Sequence, residues 1–348
     1  MNRADRPRGL HSLLRVQWKL RLETPLCIRS GHTSAFGSGT GNKNRNSKMS
    51  FLWNREKGRD NAEVSELCTG LRVEQGQLVP VYSIPSSSLR GALRSWMLLR
   101  FVEEKLWSPL CRAAENVKTE NMEELRAALA DTSAKGLHLL TDCFGMALDT
   151  GAGDKSPVGQ KGKLGLEVFP LKNPSPMPHV QGDDWQKSGN DFGPVNAPRH
   201  ISVRGPADRI THGAKDGGLH YFLEFSPGQS FDAVIKMVNP TPELIGLTAV
   251  WEREINSGML RLGGLTSVGR GRMRLLEKSH CIFAAADREA ELKEFFAERM
   301  TEDSLPSQEI FSNIWKCFRL HNAQDFIPEL AACLPQTEKK EENRPCTS

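Results

Sequence analysis

Long hydrophobic runs are missing from this sequence. No stretch approaches the roughly eighteen apolar residues that a membrane span requires, and the opening MNRADRPRGLHSLL is basic without an apolar core or a cleavage site. A cytoplasmic protein with no membrane partner is the expectation. Closely spaced cysteines are missing too. Cys27, Cys68, Cys111, Cys143, Cys281, Cys317, Cys333 and Cys346 lie far apart, with no CxxC pair and no Cys/His cluster at zinc-ligand spacing. They read as reduced, packed thiols, and no structural metal is expected from them. Neither a GxxxxGK[ST] motif nor a strand-GxGxxG-helix unit occurs, so the sequence supports neither a P-loop nor dinucleotide binding.

What is present is enough apolar content, 38 % of 348 residues, to bury one sizeable core without metals or disulfides. The formal charge of +4 is mild, but it is unevenly spread. Residues 1–60 hold thirteen Lys/Arg against four Asp/Glu, a net of +9, whereas residues 281–348 hold eight against thirteen, a net of −5. That asymmetry places an anionic partner at the front of the chain, with a solvated basic loop as the bland alternative.

LLRVQWKLRL alternates apolar and basic residues, the pattern of a strand with one packed face and one face toward water or phosphate. Residues 24–80 follow as a long insertion, rich in Gly, Ser, Asn, Arg and Lys, and read as a disordered or functional loop. Beyond Pro85, the spacing of Leu89, Leu93, Trp96, Met97 and Phe101 predicts an amphipathic helix with serine at its start. A second helical stretch is predicted around 120–130, and a strand near 164–169. The turn-rich segment 199–226 reads as a protruding hairpin, and FDAVIKMV as a strand. A helix capped by Thr241 with Pro242 in its first turn comes next, then a glycine loop and a last strand over 270–275.

This order is strand, helix, strand, strand, helix, strand, an α+β ferredoxin-like (RRM-like) β-α-β-β-α-β core. One domain over 1–280 is expected, then a helical C-terminal extension over 281–335 with helices near 287–300 and 308–320, and a disordered tail over 336–348.

Two motifs carry the chemistry. In SIPSSSLRGALR, Ser86, Ser87 and Ser88 stand at a helix start, where unpaired N–H groups and the macrodipole favour phosphate, and Arg90 and Arg94 follow one turn apart. An ordinary capped helix with solvated arginines is the alternative. In GGLTSVGRGR, Gly263, Gly264, Gly269 and Gly271 let the backbone approach a sugar-phosphate chain, and Arg270 and Arg272 supply charge.

Together, Ile84-Pro85-Ser86-Ser87-Ser88-Leu89-Arg90-Gly91 and the glycine loop 263–271 resemble the RAMP superfamily of CRISPR-associated proteins, in particular the backbone subunits of type III or type III-derived effector complexes. Weaker matches are Cys143-Phe144-Gly145, His200 to Arg204 and Ile210 to Leu219. The likeness runs over about 14–276. It implies several copies stacked along a CRISPR guide RNA, complementary target RNA and other effector subunits as partners, and a role in antiviral defence. Carried over, 86–94 and 263–272, with Thr266 and Ser267, would hold the guide backbone. Arg204, Arg209, Thr211, His212 and Lys215 would lie on a thumb hairpin, and Arg29 and His32 would meet RNA from the basic insertion. No aromatic platform for stacking bases is visible, which fits a guide held by its backbone.

In type III relatives an aspartate in the loop after the first strand promotes metal-dependent target cleavage. Asp60 is the aspartate available here, and with it Mg²⁺ or another divalent cation would be the cofactor. A solvated loop charge is the plainer reading of Asp60. His32 is a second candidate, as an acid-base group or a polar loop residue. A non-catalytic scaffold is therefore set against an endoribonuclease, and, third, against the CRISPR-RNA processing ribonuclease of the same superfamily.

Overall fold

The alternation in LLRVQWKLRL does make a strand. In a computed structural model, β1 (Ser12–Leu22) buries Leu14, Val16, Trp18, Leu20 and Leu22 on one face and turns Arg15, Gln17, Lys19 and Arg21 to the other. The structure describes residues 11–37, 61–102, 131, 133–148, 158–169, 199–204, 220–285, 299–302 and 315–334, with 106, 127, 130, 290 and 294 as single positions.

β1 lies inside a six-stranded sheet. Its neighbours are β11 (Ser230–Val238) and β12 (Met273–Ala285); β8 (Leu164–Val168) lies beyond β11, and β14 (Trp315–Leu320) and β13 (Met300–Glu302) lie beyond β12. Every pairing is antiparallel. β1 and β8 therefore run the same way, with β11 between them.

One face of this sheet is covered by helices. In α1 (Ser86–Phe101) the four-residue spacing of Leu89, Leu93, Met97 and Phe101 makes one buried stripe. α2 (Lys135–Phe144) packs beside it, and α3 (Pro242–Ser257) starts from an extended Thr241 with proline in its first turn and ends on left-handed Gly258. Phe144 of α2 meets Trp251 of α3 with ring centres 6.1 Å apart, closing the core over β1. A short α4 (Ile327–Ala331) packs on α3.

A second, four-stranded sheet has the order β2 (Arg29–Gly37), β3 (Asn61–Leu67), β10 (His220–Phe225), β9 (Arg199–Arg204). β9 and β10 are the antiparallel arms of the expected hairpin, and β3 runs parallel to β10. Two small hairpins, β4 (Thr69–Glu74) with β5 (Gln77–Tyr82) and β6 (Gly145–Leu148) with β7 (Val158–Lys161), complete the strands.

Three expectations change. The insertion read as a loop over 24–80 is, in its described part, strands β2 to β5; β3 pairs with β10 and β2 with β3, while β4 and β5 pair with each other. The C-terminal extension read as helical contains β14 and β13, because Phe318 and Leu320 are buried where β14 extends the sheet edge at β12. The last core strand runs over Met273–Ala285 rather than 270–275. The helix expected at 120–130 falls largely outside the described residues, as do 287–300 and the tail 336–348. Among the described residues no helix is long and apolar enough to cross a membrane.

Candidate nucleic-acid interface

Both sequence motifs leave the same end of the six-stranded sheet. β1 and β8 finish at that end. The glycine loop enters β12 at Met273, directly opposite Leu22 at the end of β1. α1 begins beside the end of β8, where Val168 N donates to Ser86 Oγ at 3.0 Å. The segment after β1 ties the two regions together. Thr24 Oγ1 accepts from Arg272 N, Pro25 O from Gly271 N and Cys27 O from Gly264 N, all at 2.8–2.9 Å. On its other side, Leu26 and Phe225 exchange backbone hydrogen bonds, and Phe225 meets Tyr82, just ahead of α1, edge to face at 6.4 Å.

The start of α1 offers donors without competing acids. Pro85 takes the N-cap position, no side chain caps the helix, and no acidic residue lies in the first turn. The amides of Ser86 and Ser87 have no intrahelical acceptor. Ser87, Gly91 and Arg94 are exposed, while Ser88 is half-buried and its amide donates to Pro85 O. Arg90 turns the other way. Its guanidinium donates to Phe144 O at 2.8 Å and Leu164 O at 3.3 Å and lies over the Phe144 ring. Helical spacing put Arg90 and Arg94 on one face; the presence of α2 separates them. Arg90→Ala is expected to destabilise the fold by about 2 kcal/mol, because it strips charged donors from two carbonyls; an unchanged denaturation midpoint would contradict this.

The loop has the same division. Gly264 and Ser267 are exposed, Thr266 half-buried, and Gly263 and Gly269 take left-handed backbone. Arg270, expected at the surface, donates through Nε to Glu224 Oε1 at 2.8 Å and contacts Ser202 Oγ at 3.5 Å. Glu224 is fully buried. Arg272 instead sits at the rim, its Nε 2.8 Å from Glu23 Oε2, with Arg274 Nε 3.2 Å from the other oxygen of the same carboxylate. Arg21 stands opposite Arg274 in the strand register, exposed and with no ion pair among the described residues. Two guanidinium groups thus share one carboxylate, with a third standing across the strand pair. Like charges placed directly across a strand pair are unfavourable and favour an anion in solution.

Arg21 and Arg274 were not singled out from the sequence, although the alternation of β1 already turned Arg21 to the outer face. Arg29 opens β2, exposed, with its carbonyl taking a contact from Cys68 Sγ. His32 and Arg204 lie on β2 and β9, but their side chains, like Asp60, Arg209, Thr211, His212 and Lys215, fall outside the described residues. Among the described residues no three His, Cys, Asp or Glu groups come together as a cation site. Burial pushes the Cys27 thiol up from its ordinary value, against the opposing pull of Arg29. A shallow cavity of about 420 Å³ lies elsewhere, on the open face of the sheet between Arg15, Lys19, Phe169 and Asp232.

The sequence profile described as RAMP superfamily matches residues 19–274. No curated protein matches the chain. Among solved structures, one chain of a structure titled "Type IV-B CRISPR Complex" is similar at 13 % identity, covering 85 % of this chain and 96 % of that one with a TM-score of 0.40.

Proposed function

This chain belongs to the RAMP superfamily, and from that premise we propose that it is a backbone subunit of a CRISPR effector complex that holds guide RNA by its phosphates. The order β12, β1, β11, β8 with α1 and α3 on one face is read as a β-α-β-β-α-β ferredoxin-like core, with β9 and β10 as the thumb. One observation carries the reading: the α1 start and the glycine loop, far apart in sequence, open at one end of the sheet beside three clustered arginines. Amides at a helix start, close-approaching backbone and guanidinium groups all recognise phosphate and none reads a base. Sequence selection then falls to base pairing between guide and target. Stacked copies of the chain, other effector subunits and target RNA are the partners this role requires. The role needs no catalytic step from this subunit.

Because Arg90 and Arg270 are engaged inside the protein, the phosphate test belongs to exposed groups. Arg21→Ala, Arg94→Ala and Arg274→Ala combined are expected to weaken RNA binding across sequences. The slope of log affinity against log salt should fall by about two, as for three lost contacts on a single strand. An unchanged slope would remove these arginines from the interface. Measuring the mass of the purified complex with its RNA reports how many copies assemble.

A further inference from the structure

The buried Glu224 has no part in phosphate binding, yet it is the most enclosed charge at this end of the molecule. It lies on β10 with 0 % of its side chain exposed, and it holds Arg270 of the glycine loop, itself 23 % exposed, at 2.8 Å. Ser202 of β9 donates to the other carboxylate oxygen and also touches the Arg270 guanidinium. One carboxylate therefore joins both arms of the β9–β10 hairpin to the loop between α3 and β12.

We propose that Glu224, Arg270 and Ser202 form a latch that fixes the hairpin against the glycine loop, so that Arg270 acts as a positioning residue and not as an RNA contact. A charge removed from water this completely persists only when paired and hydrogen-bonded, so the carboxylate holds the guanidinium in one place. The guanidinium fork makes that place directional, which a lysine ammonium cannot do. Further ties between loop and hairpin run through the 24–28 segment, as Cys27 with Gly264 and Leu26 with Phe225. Backbone ties on one side and the side-chain latch on the other leave the hairpin little freedom to tilt. Its consequence for RNA rests on the reading proposed above, in which loop and hairpin meet the same guide.

The test is Glu224→Gln in the full chain, with Ser202→Ala and Arg270→Lys beside it. Glu224→Gln removes a negative charge and frees Arg270. If Arg270 served as a phosphate contact, this variant would bind RNA more tightly; the latch requires weaker binding, by roughly tenfold, with an unchanged salt slope. Hydrogen exchange without RNA is read in parallel. The latch requires protection of the amides in 199–204 and 220–225 to fall by roughly tenfold or more, while the β1 and β11 amides keep theirs. Unchanged hairpin protection, or tighter RNA binding by Glu224→Gln, overturns the proposal. Should Glu224→Gln fail to fold, Ser202→Ala carries the same two readouts without changing charge, and unchanged protection there overturns it equally. A wild-type chain that binds no RNA, but whose hairpin loses protection in the variants, would sink the RNA-binding reading and leave the latch standing.

Discussion

Glu252→Ala is expected to cost about 3–5 kcal/mol of folding stability, the cost of removing one partner from a buried charged cluster. Glu252 projects from α3 and is 2 % exposed. Its Oε1 accepts from the Trp18 indole at 2.8 Å and its Oε2 from Lys278 Nζ at 2.6 Å. His280 Nε2 stands 2.9 Å from Oε1, close to the carboxylate but not aligned as a hydrogen bond. The carboxylate thus ties α3 to both β1 and β12, and its loss strands the indole N–H and His280 in a dry core. Glu252→Gln keeps the volume and one acceptor and is expected to cost markedly less. Chemical denaturation of the two variants decides this; equal midpoints would show that the retained volume and acceptor contribute nothing and that the charge carries the whole effect.

The same group sets an acid limit. Burial pushes the Glu252 carboxyl upward, but the contacts with His280, Lys278 and Trp18 outweigh it and hold the group below its ordinary value of 4.5. A depressed carboxyl stabilises the fold above its unfolded value and loses that contribution as pH falls through the depressed one. Wild type is therefore expected to lose stability below about pH 4.5, and Glu252→Gln to lose less over that range.

Gly271→Ala is expected to cost about 3 kcal/mol and to disable the loop, by two separable causes. Its φ is +75°, which costs an L residue about 1–2 kcal/mol. A Cβ there would also fall 1.8 Å from Leu262 O, forcing backbone to move. The position has no slack, since its amide donates to Pro25 O and its carbonyl accepts from Leu262 N, both at 2.9 Å. Gly269→Ala is the control, with a φ of +89° but open space around the site. It should cost about 1 kcal/mol and leave the loop's backbone in place. Equal destabilisation by the two variants would mean that the close approach at Leu262 contributes nothing.

β1 and α1 were legible in the sequence because each presents one buried face with an unbroken period, and α3, buried on every side from Leu244 to Glu252, because Thr241, Pro242 and Gly258 mark its ends. The glycine loop was legible as a close-approach element, though not as a partner of the hairpin. β2 and β3 were not legible, because their residues carry little alternation and β3 pairs with a hairpin more than a hundred residues downstream. α2 was missed since KGLHLLTDCF is short and has glycine on both sides of its apolar run. For Arg90 and Arg270, residue type and local spacing were legible but the neighbour was not. An arginine one turn inside a helix looks the same whether phosphate or the carbonyl of Phe144 awaits it.

The six-stranded sheet ends in three residues on one side, at β13, and five on the other, at β8. Margins this short offer few unpaired amides for an incoming strand. Strand addition at either margin is thereby disfavoured, and contact between this sheet and a neighbouring chain falls to side-chain surfaces.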